Sequence, residues 1–356
     1  MTSPGWKVAT TVLLVPASIA ADLAHQRTAT FVLAAAAVVP LAGLLGEATE
    51  QLAERSGPRI GGLLNATFGN AAELIIGLLL VAKGELDVVE ASITGSILGN
   101  LLLVLGVALF AGGLKRKQLE FTAQAASAHV SSMALAVAGI FMPTIYALGS
   151  PRATSFRIEA ISVGVSIVLL VLYGASLLFS LVTHTDVFRT ATTETAVSAA
   201  DTWTVKRAVT VLGIVGVLVA LESELLVGAL EPAVRSFGVS KLWVGLILVP
   251  IVGNAAEHST AVTVALKGQI DLAIDIAVGS SGQVALLVAP VLVLAGLGFG
   301  HHLTLQFTPF EIGALILAVF VVALLVLDGL SNWLEGAQLL GVYGIIAVAS
   351  FFLGKA

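Results

Sequence analysis

Apolar runs long enough to cross a bilayer follow one another along almost the whole chain, and no other feature restricts its fold so strongly. A spanning helix takes roughly 20 mostly apolar residues. About eleven such runs can be read, near 7–22, 29–50, 60–82, 88–113, 119–147, 156–183, 206–230, 241–266, 270–298, 309–327 and 333–353. With 58% hydrophobic and only 11% charged residues among 356, and a mean hydropathy of +1.03, the chain carries more apolar surface than one water-soluble core could hide. It is expected to be an integral membrane protein surrounded by lipid. Its 36 glycines and 6% aromatics suit closely packed helices better than a lipid-facing barrel with aromatic girdles. The first run does not read as a cleaved leader, because Pro16 interrupts it and Asp22 follows it. There is no Cys, so disulfides, thiolate metal sites and Cys nucleophiles are excluded. A net charge of −5 gives no nucleic-acid footprint.

Basic residues sort onto alternate sides of these spans. Lys7, Arg55, Arg59, Lys115, Arg116, Lys117, Arg189, Lys206, Arg207 and Lys267 fall on the side of the N-terminus, and Arg27, Lys83, Arg152, Arg157, Arg235, Lys241 and Lys355 on the other. Ten against seven places the N-terminus and the central linker in the cytoplasm by the positive-inside rule. The linker, 184–205, holds Asp186, Glu194 and Asp201 among many Thr and Ala. It reads as a solvated connection, with a short regulatory helix as the alternative. The expected location is a prokaryotic cell membrane, plasma or inner.

The chain repeats itself. Gly69-Asn70-Ala71-Ala72-Glu73 recurs as Gly253-Asn254-Ala255-Ala256-Glu257, and Gly95-Ser96 and Gly279-Ser280 each follow the glutamate at the same spacing. Lys83-Gly84 and Lys267-Gly268 match as well. The expected organisation is an N-terminal helix (1–28), a first five-helix repeat (29–183), the linker, and a second five-helix repeat (206–356). Five helices per half make the second copy enter the membrane from the opposite side, so the repeats are inverted. Secondary transporters built this way place their site at the midplane, between interrupted helices of both halves.

Glu73 and Glu257 lie deep in apolar runs, where a carboxylate costs at least about 2.5–3.5 kcal/mol and marks a functional site by default. The inverted repeat gives each the other as partner. Gly69 and Gly253 are expected to weaken the helix before each glutamate, and Pro250 to push Val249 out of helical conformation and free carbonyls toward the site. Asn70 and Asn254 can cap a half-helix or offer an amide oxygen. Ser96, Asn100, Ser280, Ser281 and Gln283 supply further oxygens, or else ordinary interhelical hydrogen bonds. An all-oxygen donor set suits a hard cation such as calcium, which takes six to eight oxygens. Two facing carboxylates repel when both are ionised, and either one divalent cation or two protons neutralise them. That competition is the basis of antiport, because loaded states can cross and an empty, doubly charged state cannot. His258 has Leu74 as its counterpart and could tune proton binding at Glu257 or simply contact a neighbouring helix.

Other acids are weighed separately. Glu47 and Glu50 end the second run, and Glu222 and Glu224 fall late in the seventh. They read as solvated helix ends, or as a vestibule that attracts cations. Glu159, Glu311 and Asp328 read as structural, and His129 as a helix contact.

The segments Asn65-Ala-Thr-Phe-Gly-Asn-Ala-Ala-Glu73-Leu-Ile and Val249-Pro-Ile-Val-Gly-Asn-Ala-Ala-Glu257-His258 resemble the signature repeats of the calcium/proton exchanger family, within the cation/calcium exchanger superfamily. Leu45-Gly46-Glu47-Ala48-Thr49-Glu50 and the stretches opening at Gly95 and Gly279 extend the resemblance over nearly the whole chain. It implies eleven spans, inverted repeats, and central glutamates (here Glu73 and Glu257) that exchange calcium, as substrate, for protons as counter-ion, with no cofactor. A histidine after the second glutamate is typical of that family and separates it from sodium/calcium exchangers. Members often carry Ser where Gly99 stands, and many have a markedly acidic helix between the halves, which Asp186, Glu194 and Asp201 do not supply.

The expected activity is calcium efflux driven by proton influx. Alternatives are the same fold moving sodium, potassium or manganese, a passive calcium channel, or an intramembrane hydrolase using Ser280, Ser281 and His258. The last lacks a Gly-x-Ser-x-Gly elbow and leaves the Glu73 copy unexplained. Oligomeric state is not legible in the sequence.

Overall fold

A computed structural model describes residues 5–184 and 203–353. Most of the linker, with Asp186, Glu194 and Asp201, lies outside the described residues, and so does any regulatory helix there. The helices are α1 (Gly5–Leu23), α2 (Arg27–Gly57), α3 (Ile60–Phe68), α4 (Ala71–Ala82), α5 (Leu86–Gly113), α6 (Ala123–Gly149), α7 (Ser155–Thr183), α8 (Val205–Gly228), α9 (Leu230–Phe237), α10 (Lys241–Gly253), α11 (Ala255–Leu266), α12 (Ile270–Phe299), α13 (Pro309–Leu325) and α14 (Trp333–Leu353). Eight of these are long and apolar enough to cross a membrane alone. Two bent pairs, α3 with α4 and α9 with α10, could add a crossing each, and α13 is a shorter apolar helix. The protein is thus an all-α membrane protein.

The run expected over 241–266 is two helices, α10 and α11, parted at Asn254. The run expected from 119 begins as a helix only at Ala123. Leu119–Glu120 (β1) instead pairs antiparallel with Leu330–Ser331 (β2), because the chain there has left the apolar interior and its backbone groups need partners.

Contacts between helix ends sort into two sets. At one end, here the first, Lys7 pairs with Glu47 at 3.2 Å, Arg55 donates to the Trp203 carbonyl at 2.9 Å, and β1 meets β2. At the second end Lys83 meets Glu224 at 2.5 Å, Lys241 meets Glu85 at 2.8 Å, and His302 meets Glu159 at 2.7 Å. These partners match the two sides to which the sequence assigns its Lys and Arg. A large apolar core centres on α5 and α12, and a smaller one joins α1, α2 and α8 through Val15, Leu41, Leu45 and Val219.

Both α10 and α12 widen into a π-helical turn, Val244–Leu248 and Val284–Val288, ending two residues before Pro250 and Pro290. A proline lacks an N–H and its ring presses on the carbonyl four residues back, and the wider turn makes room for it. Val249 therefore stays helical (φ −59°, ψ −46°), contrary to the break expected there. Pro250 packs on α5 instead. A Cβ at Gly95 would sit 2.7 Å from the Pro250 ring and would overlap the Leu246 carbonyl, so glycine is what lets α5 cross α10 so closely.

Candidate functional site

The two motif copies break their helices at the asparagine, not at the glycine. Asn70 (φ −93°, ψ 16°) and Asn254 (φ −101°, ψ 12°) leave helical geometry, whereas Gly69 remains helical (φ −55°, ψ −41°). Each glycine faces the glutamate of the other half at ordinary contact distance. A Cβ at Gly69 would lie 3.7 Å from Glu257 Oε1, and one at Gly253 would lie 3.6 Å from Glu73 Cγ. Each glutamate thus rests against the break in the other half, one turn into its own helix. Its carboxylate there stands near the positive end of α4 or α11.

Neither asparagine side chain caps its own helix. Both reach across. Asn254 Nδ2 donates to Glu73 Oε1 at 3.0 Å and to Ser96 Oγ at 3.3 Å. The Ser96 hydroxyl donates to the same Glu73 oxygen. In the other half Ser280 Oγ donates to Glu257 Oε2 at 2.5 Å, lies 3.5 Å from Asn70 Oδ1, and accepts from Asn100 Nδ2 at 3.2 Å. Asn70 Nδ2 donates to Gln283 Oε1 at 2.5 Å. Eight of the residues singled out in the sequence therefore form two hydrogen-bonded sets, Glu73 with Ser96 and Asn254, and Glu257 with Ser280, Asn70, Asn100 and Gln283, each drawn from both halves. Ser281 joins neither, because its hydroxyl turns back to the Ala277 carbonyl at 2.9 Å.

Not every polar atom of these residues is paired. Glu73 Oε2, Asn100 Oδ1 and His258 Nε2 are buried without a hydrogen-bond partner. The two oxygens are acceptors facing no donor, the arrangement a cation would complete. Among the described residues no three His, Asp or Glu side chains cluster closely enough to hold a metal. A cation here would therefore rely on two carboxylates with amide, hydroxyl and water oxygens. Glu73 is buried and Glu257 half-buried. Beyond Glu257, Ser259, Thr260 and Thr263 are exposed on α11 as it runs toward the first end, each hydroxyl donating to a carbonyl of its own helix.

The acids proposed for a vestibule divide. Glu50 is exposed near the first end. Glu47 is tied to Lys7 and Glu224 to Lys83. Glu222 is fully buried rather than at a water boundary, and accepts from Ser18 Oγ of α1 at 2.8 Å. Glu311 forms a capping box with Thr308, as suits a structural residue. Among the acids not weighed in the sequence, one lies beside a histidine. Asp275 of α12 has its Oδ1 3.5 Å from His129 Nε2 of α6. Its signal was available, since Asp275 stands four residues before Gly279 on one helix face and has Ala91 as its counterpart.

Buried carboxylates between broken helices, contributed by two copies of one motif, define a membrane ion-transport protein of the exchanger fold. The chain belongs to the sodium/calcium exchanger protein family, whose model matches residues 27–182 and again 207–352, and within it to the calcium/proton exchangers. A "Ca(2+)/H(+) antiporter" of Aphanothece halophytica is 44% identical over 354 residues, covering 96% of this chain and 95% of that one. A protein of the same description from Synechocystis is 45% identical over 363 residues, covering 96% of each. Among solved structures, native YfkE superimposes with a TM-score of 0.84 at 37% identity, covering 97% of this chain and 99% of that one.

Proposed function

We propose that the protein exports calcium from the cytoplasm in exchange for protons, by alternating access to a site formed by Glu73 and Glu257. The observation that carries this reading is the facing pair of glutamates, each held by a serine of its own half and Glu73 also by Asn254 of the other, with Glu73 Oε2 left facing no donor. The similarity to calcium/proton antiporters over nearly the whole chain supports calcium as substrate and the proton as counter-ion. Two protons for one calcium would be electroneutral, and a higher ratio would draw on membrane potential. Calcium reaches the pair from the first end, past Glu50 and the exposed Ser and Thr residues of α11. Repeat boundaries at 29–183 and 206–356, a cytoplasmic N-terminus and a plasma or inner membrane location belong to the same reading. The pairing of helix ends into two sets and the double match of the family model support it.

The test uses the purified chain in sealed vesicles with an imposed pH gradient, following calcium and pH together. Calcium uptake is expected to saturate, to move protons the other way, and to vanish in Glu73→Gln and in Glu257→Gln. Persistence of exchange in either variant would overturn the site. Competition by sodium, potassium and manganese in the same vesicles sets the selectivity.

A further inference from the structure

Helix α12 carries polar residues that the exchange site does not account for. In the register that matches Glu73 with Glu257, Asp271 repeats Asp87, but Asp275 falls on Ala91 and Gln283 on Gly99. Asp271, Asp275, Gly279 and Gln283 stand four residues apart and share one face of the helix. All four are half-buried, while Ala273, Ile274, Ala277 and Val278 between them are buried. The stripe starts at the first end, where Asp271 Oδ1 accepts from the Thr122 backbone at 2.6 Å. It finishes inside the exchange site, at the Gln283 oxygen held by Asn70.

His129 of α6 covers the middle of this stripe. Its Nε2 is 3.5 Å from Asp275 Oδ1, and a Cβ at Gly279 would touch its ring at 3.9 Å. The matching helix of the second half, α13, carries no histidine, so a His–Asp pair on this face occurs in one half alone and on the first-end side alone. Ionisable groups within a membrane span are costly, and in pumps and transporters chains of them serve as proton relays. An imidazole can take a proton on one nitrogen and release one from the other. Other titratable or charged groups on the surrounding segments are Asp271 on α12 itself, Glu120 in β1, Lys267 after α11 and Arg116 beside Gly268, all toward the first end, and Glu257 and His258 toward the site.

We propose that His129 and Asp275 form a proton-relay station between the exchange site and the water at the first end, separate from the approach that calcium takes past α11. The proposal rests on the reading of Glu257 as a proton-carrying site residue. As calcium loads, the Glu257 O–H bond breaks and its proton passes through water along the Gln283 stretch to one imidazole nitrogen. The proton on the other nitrogen moves to the Asp275 carboxylate, which hands it to water at the first end. One proton crosses: Asp275 returns to its carboxylate, Glu257 stays ionised while it holds calcium, and His129 is left in its other tautomer, which a ring flip resets before the next proton.

The experiment compares two transport modes of the full chain in vesicles at one pH: calcium against protons, and radiolabelled calcium against unlabelled calcium, which moves no net protons. His129→Gln and Asp275→Asn are expected to slow the proton-coupled mode by about tenfold or more, in the range of a lost proton-transfer group, and to keep self-exchange within about twofold of wild type. Asp275→Glu is expected to recover most of the coupled rate. A parallel fall of both modes, or no change in either, would overturn the relay. If the wild type shows no proton-coupled exchange, or Glu257→Gln retains it, the reading of the site fails. If both of those hold and the ratio of the two modes is unchanged in the variants, the relay alone fails.

Discussion

Asn70 and Asn254 occupy the same place in a repeated motif, yet alanine is expected to be far more costly at Asn254. The difference follows from what each amide holds. Asn254 Nδ2 donates to a Glu73 oxygen at 3.0 Å, and with Ser96 it fixes the carboxylate so that Oε2 is the oxygen left for cargo. Asn70 Nδ2 donates to a neutral partner, the Gln283 amide oxygen. A hydrogen bond to a charged group contributes about 1.5–3 kcal/mol and a neutral one about 0.5–1.5 kcal/mol. If that loss falls on the cation-bound state, Asn254→Ala raises the calcium KM by about 12- to 150-fold, and Asn70→Ala by about 2- to 12-fold. The assay is initial calcium uptake in vesicles over a range of calcium at fixed pH, with the amount of folded protein normalised by size-exclusion chromatography. Equal effects, or a larger effect at Asn70, would refute the claim that the structure divides the two amides between a carboxylate and a neutral partner.

Other expectations follow from the same geometry. Gly95→Ala is expected to abolish a monodisperse folded protein, because its Cβ would run into the Leu246 carbonyl and the Pro250 ring, whereas Gly279→Ala meets only the His129 ring at 3.9 Å and should be recovered intact; yield and melting temperature check both. Glu224→Gln removes an exposed ion pair with Lys83, worth at most about 1 kcal/mol, so exchange should be unchanged and Tm nearly so. Glu50→Gln should raise the calcium KM at low ionic strength and lose that effect as salt screens the approach. A KM that does not respond to salt would remove Glu50 from the calcium path.

Much of the site was legible because symmetry doubled it. Glu73 and Glu257, Ser96 and Ser280, Asn70 and Asn254 announced themselves as repeated polar residues in apolar runs, and the structure brings these six together. Residues with no counterpart were harder to place. Asp275 has no repeat, and Glu222 sat near the end of a run that read as solvated but is sealed against α1. Pro250 looks like a helix breaker in the sequence, because local sequence does not reveal that a π turn absorbs it.

The sequence by itself determined the medium, the helical class, the repeat and the two central acids, because the cost of exposing backbone and charge to lipid is a local property of each run. Only the tertiary structure decided which groups meet across the halves. It set Asn254 on Glu73 rather than on its own helix end, turned Ser281 away, and laid His129 over Asp275. Those pairings join residues far apart in the chain, and their geometry depends on how closely whole helices pack, which no single run of sequence specifies.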